Sequence, residues 1–204
     1  MSYSQLLEEF FKTNKLSGNT PSAQALVHFY IKLDDSPEAA DRINSMLSEM
    51  TYQFKPERKS ESSPEKSEIE SATSYEQVIR IMRRGADPMN HDVLISKAMD
   101  FEDEIVPDMV ARLKTSMNDS FIEIATRALV KSSSNVTDDI VGYYDDMRSP
   151  YAQSVALILL GFKADETLIP WLIEKYDELK KRYPNKSYCE GAYIALQEIW
   201  GTLS

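Results

Sequence analysis

The sequence lacks most features that mark secreted, membrane and β-sheet proteins. Its one cysteine, Cys189, has no disulfide partner within the chain, which predicts a small buried residue in a reducing, cytoplasmic protein. Six glycines and the absence of Asn-Gly and Asp-Gly pairs disfavour β-hairpins. The longest apolar run, residues 155–160, is too short to cross a bilayer, and the first residues lack the basic and apolar regions of a signal peptide. We therefore expect no membrane partner.

Positive charge is also scarce. The chain has 23 lysines and arginines against 33 aspartates and glutamates, for a formal net charge of -10. A surface of this sign repels phosphate, which disfavours nucleic acid as a partner and favours a protein with a basic surface.

Sequence signatures of catalysis and cofactor binding are absent as well. The chain has neither a glycine-rich phosphate loop nor a Gly-x-Ser-x-Gly nucleophile motif. His28 and His91 have no second ligand at zinc-binding spacing. Four aspartates between residues 138 and 146 share one predicted helix, and one helix face seldom completes a magnesium or calcium site. We expect a non-enzymatic protein with no cofactor and no metal, and an acidic solvated surface at these aspartates.

Helical spacing of apolar residues is what the sequence has in abundance. In the first third, three segments show it, and Thr20-Pro21 and Ser36-Pro37 each place proline after an N-cap. These features predict an all-α fold in which residues 1–54 form a helical cap docked on the remainder of the chain, because so short a bundle buries little surface alone. Residues 55–73 are rich in Ser, Glu and Lys, and predict a flexible linker. Their serines also suit phosphorylation, although this composition is typical of plain linkers.

From residue 74 to 204, amphipathic helices come in pairs that repeat. The residues in matching places are Ile105, Ile140 and Leu168 in first helices, and Ala128, Ala156 and Ala195 in second helices. The steps from Ala128 to Ala156 and from Ala156 to Ala195 are 28 and 39 residues, within the range of helical-pair arrays.

This pattern resembles the HEAT repeats and the short HEAT-like repeats of phycobilisome-lyase type. The matching parts are Ala156-Leu-Ile-Leu-Leu-Gly161, a short polar joint, and Leu168-Ile-Pro-Trp-Leu-Ile173. The resemblance covers residues 102–203 well and 74–101 weakly, and Gly142 departs from it by replacing the proline of other first helices. It implies a right-handed α–α superhelix, a HEAT-like solenoid of stacked helix pairs over residues 74–204.

Local signals within this array predict where helices begin and end. An apolar helix ends at Gly161 and the next begins at Asp165, while Gly85 ends a helix and Asn90 caps another. The helix containing residues 155–160 is apolar on nearly every side and is expected to be the most buried.

Two basic clusters stand out against the acidic background. They are Arg80, Arg83 and Arg84, and Lys180, Lys181 and Arg182. Both lie near predicted helix ends, where positive side chains interact favourably with the helix dipole, and we interpret them in this way. The alternative is a continuous cationic groove, as a helical-repeat protein acting on nucleic acid requires.

The leading functional hypothesis is a protein-interaction scaffold or adaptor that uses the concave face of the array. If second helices line that face, the predicted exposed contacts are Arg127, Lys131, Gln153, Glu190 and Gln197, with the aromatic residues Tyr143 and Trp171 on first helices. The acidic balance favours a basic partner, including a basic enzyme that an inhibitor or immunity-type protein shields. The competing hypothesis is an enzyme, such as a base-excision protein, with a site assembled in the groove.

Overall fold

The structure is a computed structural model of the 204-residue chain and describes residues 2–16, 20–33 and 63–203. Every regular element within those ranges is an α-helix or a 3-10 helix, and none of the described residues forms a strand. The predicted all-α class is therefore confirmed.

The described residues form eleven α-helices. They are α1 (Tyr3–Thr13), α2 (Pro21–Ile31), α3 (Pro64–Glu70), α4 (Tyr75–Arg84), α5 (His91–Met99), α6 (Glu102–Leu113), α7 (Asp119–Lys131), α8 (Thr137–Tyr143), α9 (Pro150–Lys163), α10 (Ile169–Arg182) and α11 (Glu190–Leu203). Single 3-10 turns at Pro88–Asn90, Tyr144–Asp146 and Glu166–Leu168 precede or follow three of these helices.

The first two helices begin at side-chain caps. Ser2 and Gln5 form a capping box, in which Ser2 Oγ accepts from the Gln5 N–H at 3.3 Å and Gln5 Oε1 accepts from the Ser2 N–H at 2.9 Å. Thr20 Oγ1 accepts from the Ala23 N–H at 3.2 Å, and Pro21 is the first helical residue, as predicted. The helix predicted to begin after Ser36 lies outside the described residues.

Part of the segment predicted to be a linker is helical, while the linker itself stays a prediction. Residues 64–70 form helix α3, because Ser63 Oγ accepts from the Lys66 N–H at 3.1 Å and Pro64 presets the first turn. Ile69 is fully buried, which stabilises so short a helix. The side-chain cap, the buried Ile69 and the hydrogen bonds from Arg84 to Glu68 together hold this helix.

The turn between α4 and α5 follows the prediction at Gly85 and departs from it at Asn90. Gly85 ends α4 with φ of 83°, a conformation that glycine adopts without strain. Asn90 makes no capping hydrogen bond, since its buried side chain donates to Glu65 Oε2 at 2.6 Å and to Ser63 Oγ at 3.2 Å. Asp87 caps the 3-10 turn that precedes α5 by accepting from the Met89 N–H at 2.9 Å.

The chain divides into two compact units, which we call unit 1 (Met1–Phe54 with Gln153–Ser204) and unit 2 (Lys55–Ala152). The division falls inside α9. The sequence predicts another division, with a linker over residues 55–73 and an array over 74–204, and that division stays a prediction.

In unit 1, the N-terminal helices pack on the last two helices. Helices α10 and α11 contact each other, α1 contacts both, and α2 contacts α11. The Phe10 and Tyr176 rings meet edge to face with centroids 4.9 Å apart. Thr20 Oγ1 and Ser187 Oγ lie 2.6 Å apart, and the Tyr30 hydroxyl donates to the buried Glu198 carboxylate.

Helices α3 to α7 form the core of unit 2. Helix α4 contacts α5, α6 and α7, while α5 contacts α3, α6 and α7. Their shared interior contains the buried residues Val78, Met82, Leu94, Ile105 and Phe121. Both α4 and α5 thus contact the helix that comes next in the chain and the one after it.

Helix α9 contains the apolar run that the sequence places in the interior. Residues 155–160 are at most 1% exposed, in agreement with the predicted interior position. The predicted end at Gly161 is wrong, because α9 continues to Lys163 and Gly161 lies within it. A Cβ at Gly161 would lie 2.6 Å from the Ala195 Cα, so this glycine permits close approach of α11. Within the described ranges, no helix combines the length and apolar content needed to cross a membrane.

Candidate functional site

The predicted partner contacts divide between the two units, and three of them are buried. Arg127, Gln153 and Glu190 are only 6%, 3% and 1% exposed, so the predicted exposure is wrong for these residues. Lys131 is exposed at the end of α7, and Gln197 is partly exposed on α11. Some polar side chains on these helices face neighbouring helices and others face solvent. The sequence pattern does not distinguish the two kinds of position.

Arg127 belongs to a partly buried polar network within unit 2. Its Nη2 donates to Asp92 Oδ1 at 2.8 Å, and its Nη1 lies 3.3 Å from His91 Nδ1. His91 Nε2 lies 3.1 Å from the carbonyl oxygen of Ala86, which accepts only, so Nε2 carries the proton and Nδ1 accepts from Arg127. This network connects α7 to the start of α5 and has a structural role.

The two predicted aromatic contacts are half-buried. The Tyr143 hydroxyl donates to the Val110 carbonyl at 2.8 Å, and its burial, with the charge of Asp139, raises the pKa of this phenol above its usual value. Trp171 lies under the Lys175 ammonium, 5.6 Å from the ring centroid. Tyr143 therefore connects α8 to α6, whereas Trp171 contacts a residue of its own helix, and both rings expose only part of their surface.

A cavity of about 570 Å³ lies in unit 2, beside α4, α6 and the start of α7. Its charged lining consists of Arg80, Arg83 and Arg84 of α4, Arg112 of α6, and the carboxylates Glu76 and Asp108. We call this cavity and its four arginines the arginine groove. The α4 cluster is evident in the sequence, where we interpret it as a set of dipole partners, but nothing there connects it to Arg112. That residue lies on α6, a helix in contact with α4.

Two of the four arginines are paired with carboxylates. Arg84 binds Glu68 through two parallel hydrogen bonds, Nη1 to Oε1 at 3.1 Å and Nη2 to Oε2 at 2.9 Å, and lies 3.6 Å from Glu65. The hydrogen bond from Arg84 lowers the pKa of the Glu68 carboxyl. Arg112 Nε donates to Asp108 Oδ2 at 2.8 Å on the same helix.

The other two guanidinium groups, those of Arg80 and Arg83, form no salt bridge with any carboxylate in the part of the chain that the structure describes. Both side chains are exposed, three residues apart on one face of α4. Glu76 is the one acidic residue of α4, and a hydrogen bond with Ser74 lowers its pKa, so it is charged at neutral pH. The charge of Arg80 also contributes to lowering the pKa of Glu68. The charged lining therefore contains four positive and two negative groups.

The turn after α6 closes one end of the groove. Asn118 Nδ2 donates to the Arg83 carbonyl at 2.8 Å, and Asn118 Oδ1 caps α7 by accepting from the Phe121 N–H at 3.0 Å. Thr115 and Ser116 place hydroxyl groups on the lining beside it. The start of α7 adds the positive end of a helix dipole to this end of the groove.

Side chains that could bind a metal ion do not cluster among the described residues. In residues 2–16, 20–33 and 63–203, no three His, Cys, Asp or Glu side chains are arranged to hold a metal ion. Asp138, Asp139, Asp145 and Asp146 are exposed, as expected for an acidic solvated surface. Cys189 is buried as predicted, and burial raises the pKa of its thiol to about 12, so the reactive thiolate is scarce at neutral pH.

Comparison with known proteins leaves the chain without a demonstrated family. No family model, no curated protein and no solved structure matches it. The arginine groove is therefore the feature from which a function can be argued.

Proposed function

We propose that this chain is a non-enzymatic protein-interaction module that binds an anionic segment of a partner protein in the arginine groove. The observation that supports this proposal is the presence of four guanidinium groups on one cavity of a chain with net charge -10. On so acidic a chain, carboxylates are plentiful, yet those of the described residues leave Arg80 and Arg83 without a salt bridge. Such groups are suited to bind an anion from another molecule.

The geometry of the groove supports recognition of carboxylate or phosphate groups. A guanidinium group donates parallel hydrogen bonds that match the oxygens of these anions, as Arg84 does with Glu68. The groove is half open and has a volume of about 570 Å³, so a side chain of a partner can reach its arginines. Arginine is also a frequent anchor of protein interfaces.

The basic partner predicted from the sequence is compatible with the surface around the groove. Residues 63–152 contain 17 acidic and 10 basic residues, and Asp138, Asp139, Asp145 and Asp146 are exposed among them. A partner that brings an anionic group to the groove and basic residues to the surrounding surface satisfies both features. The cytoplasmic location stays a prediction, as does the inhibitor or immunity-type role.

We also propose that the helices stack as the HEAT-like superhelix that the sequence predicts. The pattern of helix contacts within unit 2 supports this proposal, since α4 contacts α5 and α6, and α5 contacts α6 and α7. Stacked pairs produce this pattern because each helix contacts its partner and the equivalent helix of the next pair.

Fluorescence anisotropy with short labelled peptides tests the proposed function. We expect a polyglutamate peptide to bind the full chain, and the affinity to fall as ionic strength rises, because exposed charges are screened. A polylysine peptide tests the basic-surface prediction separately. A labelled duplex DNA tests the nucleic-acid alternative, which predicts binding with a steep salt dependence.

The variants Arg80→Gln and Arg83→Gln assign any binding to the groove. Each removes one exposed guanidinium from α4 and retains a helix-forming residue, so the fold is expected to persist. Arg148→Gln is the charge-matched control, because Arg148 is an exposed arginine of unit 2 outside the groove lining. Failure of every anionic peptide to bind, or equal binding by all three variants and the wild type, contradicts the proposed function.

A further inference from the structure

We propose that the anionic group recognised by the arginine groove is a phosphate monoester, carried by a phosphorylated side chain that is flanked by basic residues in a partner protein. This inference rests on the proposed function and specifies its ligand. Its support comes from the charge of the groove, its hydrogen-bond donors, its size and the acidic residues around it.

The groups of the groove that lack a salt bridge favour an anion with more than one negative charge. Arg84 is bonded to Glu68 and Arg112 to Asp108, so among the described residues Arg80 and Arg83 remain without a salt bridge, opposed by the single carboxylate of Glu76. A phosphate monoester carries a charge of about -1.5 to -2 at neutral pH, whereas a carboxylate carries only one negative charge.

The donors of the groove outnumber those that one carboxylate uses. A phosphate monoester presents three terminal acceptor oxygens, and each guanidinium presents several N–H groups in a fixed plane. Hydroxyl groups of Thr115 and Ser116 add donors from the turn after α6. Ser116 Oγ accepts from the Asn118 N–H at 3.2 Å, so its own hydroxyl proton remains to be donated. Donors from α4, α6 and this turn suit a tetrahedral anion better than a planar one.

The size of the cavity indicates a phosphate attached to a larger group. The groove is open to solvent on one side, and its volume of about 570 Å³ is much larger than an inorganic ion. Tyr75 and Ile79 of α4 give part of the lining an apolar character, which accommodates the carbon atoms of a side chain and its neighbours. Inorganic phosphate alone is therefore expected to bind weakly.

Acidic residues around the groove favour a peptide over nucleic acid. Glu65 and Glu68 lie beside Arg84, and Asp119 follows the Asn118 cap. Together with the two carboxylates of the lining they repel a chain of consecutive phosphates but attract lysine or arginine on either side of a single phosphate. One phosphorylated residue with basic flanks is the ligand that this charge arrangement fits.

Anisotropy titrations of the full chain with matched peptides test the inference. The peptides share one lysine-flanked sequence and differ at the centre, which holds phosphoserine, phosphotyrosine, glutamate or unmodified serine. We expect at least one phosphopeptide to bind about tenfold tighter than the glutamate peptide, the scale of one added hydrogen bond between charged groups. Replacing the lysine flanks by glutamate is expected to weaken that binding by a similar factor. Inorganic phosphate and a short single-stranded RNA serve as competitors, and effective competition by the RNA contradicts the inference.

Variants connect this preference to particular arginines. Arg80→Gln and Arg83→Gln are each expected to weaken phosphopeptide binding about tenfold, while Arg148→Gln changes it little. Equal affinity for the phosphopeptides and the glutamate peptide refutes the phosphate inference and leaves the proposed function standing. Absence of binding by all anionic peptides refutes both. Circular dichroism of each variant identifies any loss of fold.

Discussion

Replacing Gly161 by alanine tests the close approach of α9 and α11 in unit 1. The added Cβ would lie 2.6 Å from the Ala195 Cα, whereas non-bonded carbon atoms prefer about 3.5–4.0 Å. The two helices must therefore separate locally by about 1 Å, which loosens packing around a fully buried stretch. Overpacking of this kind costs about 1–3 kcal/mol, and the helix propensity of alanine returns about 0.5–1 kcal/mol. We expect a net loss of up to about 2.5 kcal/mol in the free energy of unfolding.

Gly142→Ala is the matched control. Gly142 also lies near the C-terminal end of a helix, α8, and a Cβ there would meet no heavy atom within 4 Å. Alanine at this position is expected to leave stability unchanged or to raise it by up to about 1 kcal/mol, because only the propensity gain applies.

Urea denaturation followed by circular dichroism measures both variants against the wild type. We expect a lower midpoint for Gly161→Ala, an unchanged or higher midpoint for Gly142→Ala, and a similar slope for all three proteins. In thermal melts, each kcal/mol corresponds to about 2–4 °C for a chain of this length. If Gly161→Ala is as stable as Gly142→Ala, the backbones of α9 and α11 do not approach as described.

Three further predictions concern burial. Ala156→Glu places a carboxylate at a position only 1% exposed, so we expect loss of the cooperative thermal transition. Arg127→Leu removes the hydrogen bonds to Asp92 and His91 and is expected to lower the free energy of unfolding by about 2 kcal/mol, whereas Lys131→Ala on the exposed side of α7 changes it little, as urea titrations will show. Burial raises the pKa of Tyr151 and Tyr176 above the usual 10.0, so the folded state favours the neutral phenols. The contribution of these phenols to the free energy of unfolding is therefore complete below pH 10 and falls above it. Absorbance titration should show the phenols ionising only as the protein unfolds.

Local features of this fold could be predicted from the sequence because they depend on neighbouring residues. Thr20 and Pro21 start α2 through interactions within one turn, and Gly85 ends α4 through its own backbone conformation. The apolar run at residues 155–160 is buried because any side of it that faced solvent would expose apolar side chains.

Features that depend on distant residues are not predictable in the same way. Gly161 has the local signature of a helix end, but its role is set by Ala195 on another helix. Arg127 lies at a polar position of its helix, and its burial depends on where His91 and Asp92 lie. The arginine groove depends on contact between α4 and α6, which brings Arg112 beside residues far earlier in the chain.

The burial of Cys189 gives the molecule an internal reporter of its own opening. Because the thiol is 6% exposed and its pKa is raised to about 12, thiol reagents should react with the native chain only when the region around α11 opens. The chain has no second cysteine, so any thiol modification takes place at Cys189. The same burial restricts oxidative cross-linking between copies of the chain to molecules that have opened or unfolded. Covalent dimers formed under oxidising conditions would thus record how often this region opens.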